Sequence, residues 1–118
     1  MKVMDKNNKT FEDIKHIDEN EIEYWNAREL MIILEYKQWR RFENVINKAK
    51  ESCKNSDISL IEHFANVGKT IKMPKGAEKT IPDYKLSRYA CYLIAQNGDT
   101  RKKVIALAQT YFAVQTRK

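Results

Sequence analysis

The sequence predicts an α+β fold that is predominantly α: a compact bundle of about five or six helices with one short strand and a lysine-rich β-hairpin or loop. Three observations lead there. Apolar residues recur at helical spacing over most of the chain. The 118 residues include only three Gly and two Pro, so few positions interrupt regular structure. One stretch, Lys69 to Lys85, has a different texture and holds both prolines. Apolar residues make up 42% of the chain and charged residues 32%, the balance of a folded domain. The length suits one hydrophobic core, so residues 9–118 are expected to form a single globular domain behind a flexible N-terminus of residues 1–8.

The elements follow in order. Thr10 is placed to cap a short helix through Ile17, with Asp13 three residues on. Glu21 to Trp25 alternates polar and apolar and reads as a short strand. Asn26, with Glu29 three positions later, reads as the N-cap of a helix whose Leu30, Ile33 and Leu34 face a core. A second helix runs from about Lys37 to the break at Asn55-Ser56-Asp57. At 100° per residue it gathers Trp39, Phe42, Val45, Ile46, Ala49 and Cys53 on one face, and Lys37, Arg40, Arg41, Asn44 and Lys48 on the other. Leu60, Ile61 and Phe64 predict a short helix ending near Gly68.

Thr70 to Met73 and Thr80 to Tyr84 predict two strands joined by a turn at Pro74-Lys75-Gly76, with Pro82 implying an edge position. Ser87 is the expected N-cap of a helix to Asn97, and Gly98 its left-handed terminator. Asp99 is placed to cap a last, largely buried helix carrying Val104, Ile105, Leu107, Ala108, Tyr111, Phe112 and Val114.

Charge is unevenly distributed. Residues 1–36 carry five basic and nine acidic side chains, a net of −4. Residues 37–118 carry 17 and seven, a net of +10. Such polarity attracts polyanions and steers encounter with them. The basic candidates fall in three places. Lys37, Arg40, Arg41 and Lys48 share a helix face. Lys69, Lys72, Lys75 and Lys79 stud the hairpin segment. Lys102, Lys103, Gln109 and Arg117 lie on the outer face of the last helix. A helix face and a flexible arm rich in Lys are what phosphate binding requires. The last helix admits two roles, since Ala106 and Ala113 on the same face would also allow a second copy to approach and form a homodimer.

Catalysis needs converging groups, and no sequence signature of them is present. His16 and His63 fall in no metal-ligand spacing, and there is no GxSxG, Walker or GxGxxG pattern. Pro82-Asp83 hints at a nuclease, but the later Asp99-Thr100-Arg101 ends in an arginine that cannot act as a general base. The expectation is therefore a non-enzymatic protein with no metal and no cofactor. Cys53 and Cys91 are expected to be free thiols of a cytoplasmic protein with no membrane association.

Two long runs carry a family resemblance: Leu86-Ser87-Arg88-Tyr89-Ala90-Cys91-Tyr92-Leu93-Ile94-Ala95-Gln96-Asn97-Gly98-Asp99, and Ala106 through Arg117. Together with Phe11-Glu12-Asp13-Ile14-Lys15, Trp25 through Leu30 and Trp39 through Phe42, the chain from about Lys9 to Lys118 resembles the N-terminal domain of the bacterial DNA-damage-inducible protein D family. More distantly it is similar to the N-terminal domains of phage antirepressors. Thr100 stands where family sequences often have Pro, which the first turn of a helix accepts equally. Family members extend well past this length, so the chain is expected to be the N-terminal part of a longer protein. The resemblance implies a bacterial, cytoplasmic protein of the SOS response that binds DNA, single- or double-stranded, or acts on a recombinase or a repressor. It supplies no catalytic residues.

Overall fold

The computed structural model describes residues 11–56 and 59–116, with side chains as far as Ala113. Thr10, the N-terminal residues 1–8 and Arg117 lie outside the described residues. The described chain is α+β, as expected, but it is not a helical bundle. Its organising element is a four-stranded antiparallel sheet of order β1-β2-β4-β3, made of β1 (His16–Ile17), β2 (Glu23–Asn26), β3 (Phe64–Lys72) and β4 (Glu78–Leu86). The helices are α1 (Ala27–Ile33), α2 (Trp39–Asn55), α3 (Leu60–His63), α4 (Arg88–Gln96) and α5 (Lys103–Thr116). With seven and four residues, α1 and α3 are too short to be bundle members.

The departures have local causes. Residues 11–13 are helical, but β1 starts at His16, so the helix expected through Ile17 stops early. The apolar spacing of Leu60, Ile61 and Phe64 suggested helix as far as Gly68, yet Ile61 is 83% exposed and faces no core. The chain turns extended at Phe64, because β3 forms a nine-pair ladder with β4, from Phe64↔Leu86 to Lys72↔Glu78. That ladder is about twice as long as the strands of four and five residues that the sequence suggested.

Pro82 does not mark an edge strand, since β4 lies between β2 and β3. Its carbonyl accepts from Arg28 Nε at 2.7 Å, so its backbone polar groups point away from β3. Only Trp25↔Leu86 and Asn26↔Lys85 join β2 to β4, so at Pro82 no strand asks for the missing N–H.

Gly98 is not left-handed either. Asn97 closes α4 with φ −98°, and glycine is needed next for another reason: a Cβ on Gly98 would meet Ile105 Cδ1 at 2.8 Å. Gly76 does use its freedom, at φ 81°, beside Lys75 at φ 69° in the hairpin turn.

The core lies on one face of the sheet, where Phe64, Tyr84, Leu86 and Trp25 are buried against Phe42, Val45, Ile46, Ala49 and Cys53 of α2, Ala90, Leu93 and Ile94 of α4, and Ile105, Ala108 and Phe112 of α5. Ser87 caps α4 as expected, accepting from Ala90 N at 3.0 Å. Phe11 anchors the start of the described chain. Its ring meets Tyr111 and Phe112, and its carbonyl accepts from Trp25 Nε1 at 3.0 Å. Over this cluster Arg88 pairs with both carboxylate oxygens of Glu23 and lies above the Trp25 ring. Tyr111 donates its hydroxyl to Glu12. Burial and that bond push the Tyr111 phenol well above its ordinary value, and the same bond holds Glu12 below its own.

Candidate nucleic-acid interface

The basic side chains divide into two populations. Lys15, Arg28, Lys50, Lys85, Arg88, Arg101 and Lys102 each bond to a carboxylate, carbonyl or ring of the fold. Of the predicted site residues, Lys37, Arg40, Arg41, Lys48, Lys69, Lys72, Lys75, Lys79 and Lys103 have no such partner among the described residues, and all nine are exposed. Lys54, on the flank of α2, joins them and was not singled out by the sequence. Gln109 is engaged internally: its amide donates to Ala95 O at 3.0 Å and ties α5 to α4.

Two loops build the first part of the site. After α1, Glu35 adopts φ 65° and turns the chain, and Tyr36 N bonds back to Met31 O at 3.0 Å. The Glu35 carbonyl thereby accepts from Lys102 Nζ of the α4–α5 loop, whose ammonium lies 4.2 Å from the centre of the Tyr36 ring. Asp99 N donates in turn to Tyr36 Oη at 3.2 Å. These contacts span more than sixty residues of sequence and bring Lys37, Arg41 and Lys102 around one cleft of about 370 Å³, lined also by Gln38 and by the two acids Glu35 and Asp99.

The first turn of α2 borders this cleft and carries no acidic residue and no side-chain cap. The positive end of the helix dipole therefore adds to Lys37 and Arg41. Asp99 does not oppose them with a free charge. Arg101 holds both of its oxygens, at 3.0 and 3.1 Å, and this bond keeps its carboxyl below the usual range. The sequence marked Asp99 only as a helix cap and did not mark Tyr36, because nothing local signals that the two loops meet.

The hairpin is the second part. Its base is wedged against α2, where Trp39 stacks on Tyr84 at 6.3 Å and carries the Arg28 guanidinium 4.0 Å over its ring. Lys37, Arg40 and Arg41 therefore sit within two residues of the contact at the arm's base. Beyond it, residues 69–81 are exposed except for the half-buried Ile71 and Ile81. Lys69, Lys72, Lys75 and Lys79 ride on this arm with Glu78 as its one acidic residue.

Asp83, the residue that hinted at nuclease chemistry, has a structural task. It is buried and accepts from Arg28 N at 3.0 Å and Tyr84 N at 2.8 Å, so it caps α1 from the neighbouring strand in place of Asn26, whose side chain makes no cap bond. His16 pairs with Glu29 at 2.7 Å and His63 with Ser87 at 2.6 Å. No group of three or more potential metal ligands occurs among the described residues. Cys53 and Cys91 are buried and in no disulfide among the described residues, and burial pushes both thiol pKa values up. Among the described residues no helix is long and apolar enough to cross a membrane.

Comparison with known proteins agrees with the resemblance read from the sequence. The chain is 45% identical over 115 residues to DNA damage-inducible protein D of Escherichia coli (strain K12), covering 98% of this chain and 42% of that relative. It thus spans well under half the length of the relative it matches. No solved structure matches it. The BRO family N-terminal domain matches residues 13–113, a span holding β1 to β4, α1 to α4 and most of α5, and the chain belongs to that family.

Proposed function

We propose that this chain is a non-enzymatic nucleic-acid-binding module of the DNA-damage response, gripping phosphates through the start of α2 and the hairpin arm. One observation carries the reading. The cations that sequence analysis singled out on α2 and the hairpin are the ones the fold leaves without partners, while its other lysines and arginines are mostly tied to carboxylates or rings. A free, clustered cation can release the condensed counterions of a polyanion, whereas a paired one would first have to break its bond. The name of the relative, DNA damage-inducible protein D, agrees with a role around DNA.

The test is affinity for labelled single- and double-stranded DNA across a salt series, for the 118-residue chain and for Lys37→Glu/Arg40→Glu/Arg41→Glu. The expected result is binding of the wild type with a steep salt slope and at least a tenfold loss in the variant. A variant that binds as the wild type does would remove the α2 cluster from the interface.

A second reading, a protein-interaction module acting on a recombinase or repressor, is favoured by a different observation. Ile22 and Ile61 are 58% and 83% exposed and border a separate groove of about 220 Å³ floored by Tyr24, Ala65 and Leu86. Association through that groove would respond weakly to salt, which separates it from phosphate binding.

A further inference from the structure

We propose that the outer hairpin is a ribbon inserted into the major groove of duplex DNA, an inference that rests on the nucleic-acid reading above and assigns the strand form and the groove. Three features lead to it.

The first is that the ribbon stands alone. The β2 pairing with β4 ends at Asn26↔Lys85, and α1 reaches β4 only as far as Pro82 and Asp83. Outward of Gly68↔Pro82 the two strands pair with each other alone, through Lys69↔Ile81, Thr70↔Thr80, Ile71↔Lys79 and Lys72↔Glu78. A two-stranded ribbon open to water on both faces adds little to a core. This one is nevertheless held in shape, by Pro74 and Gly76 in the turn and by Met73 N donating to Ala77 O at 2.7 Å.

The second is how its charge is placed. Cross-strand partners share a face, so Lys69 and Lys79 lie with Ile71 and Ile81 on one face, and Lys72 lies with Thr70, Thr80 and its direct partner Glu78 on the other. Lys75 is at the tip. The net charge therefore sits on one face but on both strands, Lys69 on β3 and Lys79 on β4, and at the tip. A single strand tracked along one side is matched by cations along one edge. Cations along both edges and at the tip match a partner that presents phosphates on both sides at once. The two walls of a duplex groove do so.

The third is size. Four residue steps from Gly68 to Lys72 extend the arm by about 13 Å before the turn, and a ribbon with its side chains is about 10 Å from face to face. The major groove is roughly 12 Å wide and 8.5 Å deep and admits a two-stranded ribbon. The minor groove, at roughly 6 Å, does not. Inside the groove, Thr70 and Thr80 would present hydroxyls and methyls to base edges, while the α2 cluster beside the arm's base meets phosphate outside it.

The experiment compares wild type, an arm variant (Lys69→Gln/Lys72→Gln/Lys75→Gln/Lys79→Gln) and a helix variant (Lys37→Gln/Arg40→Gln/Arg41→Gln). Each is titrated with a duplex and with the corresponding single strand across a salt series. Methylation of the bound duplex by dimethyl sulfate is mapped at guanine N7, in the major groove, and at adenine N3, in the minor. Circular dichroism checks the fold; the four arm lysines are exposed and unpaired, so the spectrum is expected to be unchanged.

The expected result is preference for duplex, protection of guanine N7 by the wild type and its loss in the arm variant. The arm variant's salt slope should fall by about 3.6, four phosphates at roughly 0.9 each. Preference for the single strand, protection at adenine N3, or an arm variant that binds and protects as the wild type does would each overturn the groove assignment. If the helix variant still loses affinity in those cases, phosphate binding survives without the ribbon. Absence of wild-type binding to either strand form would overturn both readings.

Discussion

The aromatic cluster around Trp25 and the outer hairpin are built from similar residue types and put to opposite uses. In the cluster, Arg88 is stacked on Trp25, and both of its bonds go to Glu23. Lys15 is held by Glu12 and Glu23, and even the Tyr111 hydroxyl is bound to Glu12. On the arm, Lys69, Lys72, Lys75 and Lys79 touch no acid or ring among the described residues, and Val67, Ile71 and Ile81 are not part of the buried core cluster. The difference separates a cation's two tasks. Where charge serves folding it is paired and stacked. Where it is left free, stability gains little from it.

That separation is broken most severely from the cluster side. Phe112 is fully buried and packs edge-on against Trp25, Phe11 and Tyr111. Phe112→Ala removes a ring from the junction of α5, β2 and the helical turn at residues 11–13. A loss of about 3–5 kcal/mol is expected in urea denaturation. The arm lies outside this packing, so the folded fraction of the variant should keep wild-type affinity for nucleic acid.

Asp83 is where the two regions join, and its effect is the next in size. Its carboxylate serves the first turn of α1 and the backbone of β4 at the base of the arm. Asp83→Ala leaves Arg28 N and Tyr84 N without their acceptor and is expected to cost about 1–2 kcal/mol, read from the same denaturation curves. Because Arg28 also bonds Pro82 and covers Trp39, proteolysis within residues 69–81 should accelerate more than global unfolding does. Equal acceleration of both would show that the arm's base is held by the Trp39–Tyr84 contact alone.

The same contrast explains what was legible in the sequence. Helical periodicity marked α2 and its buried face because every apolar residue of that helix answers to one core. Ser87 signalled the start of α4 through a local bond to Ala90 N. The free cations were legible because exposed charge obeys composition and wheel geometry, with no need of a partner. The short helix expected from Leu60 forms but ends at His63 and not near Gly68, because the ladder to β4, formed across a turn, outweighs the local apolar spacing. Asn26 stands at the N-cap position of α1, as its sequence suggested, but makes no cap bond there, because Arg28 N donates to Asp83 from 55 residues away. The cleft between Lys37, Arg41 and Lys102 depends on Tyr36 meeting Asp99 across 63 residues, a contact no window of sequence contains.

The smallest effect tests the cluster by pH, in a region the arm cannot influence. Tyr111 keeps its proton in the fold beyond its ordinary value, because burial and the bond to Glu12 both oppose the phenolate. Glu12 keeps its charge to lower pH, because that bond favours the carboxylate. Above about pH 10 the unfolded chain releases the Tyr111 proton while the folded chain retains it, so this contribution to stability falls as pH rises. Below about pH 4.5 the unfolded chain takes up the Glu12 proton first, so the contribution is lost again as pH falls through the lowered folded value. Tyr111→Phe is therefore expected to cost about 1 kcal/mol on a plateau between the two limits, with the gap to wild type closing on both sides. Absence of a gap from pH 3 to pH 11 would mean that the ring's packing, which Phe keeps, and not the hydroxyl, holds the start of the described chain against α5.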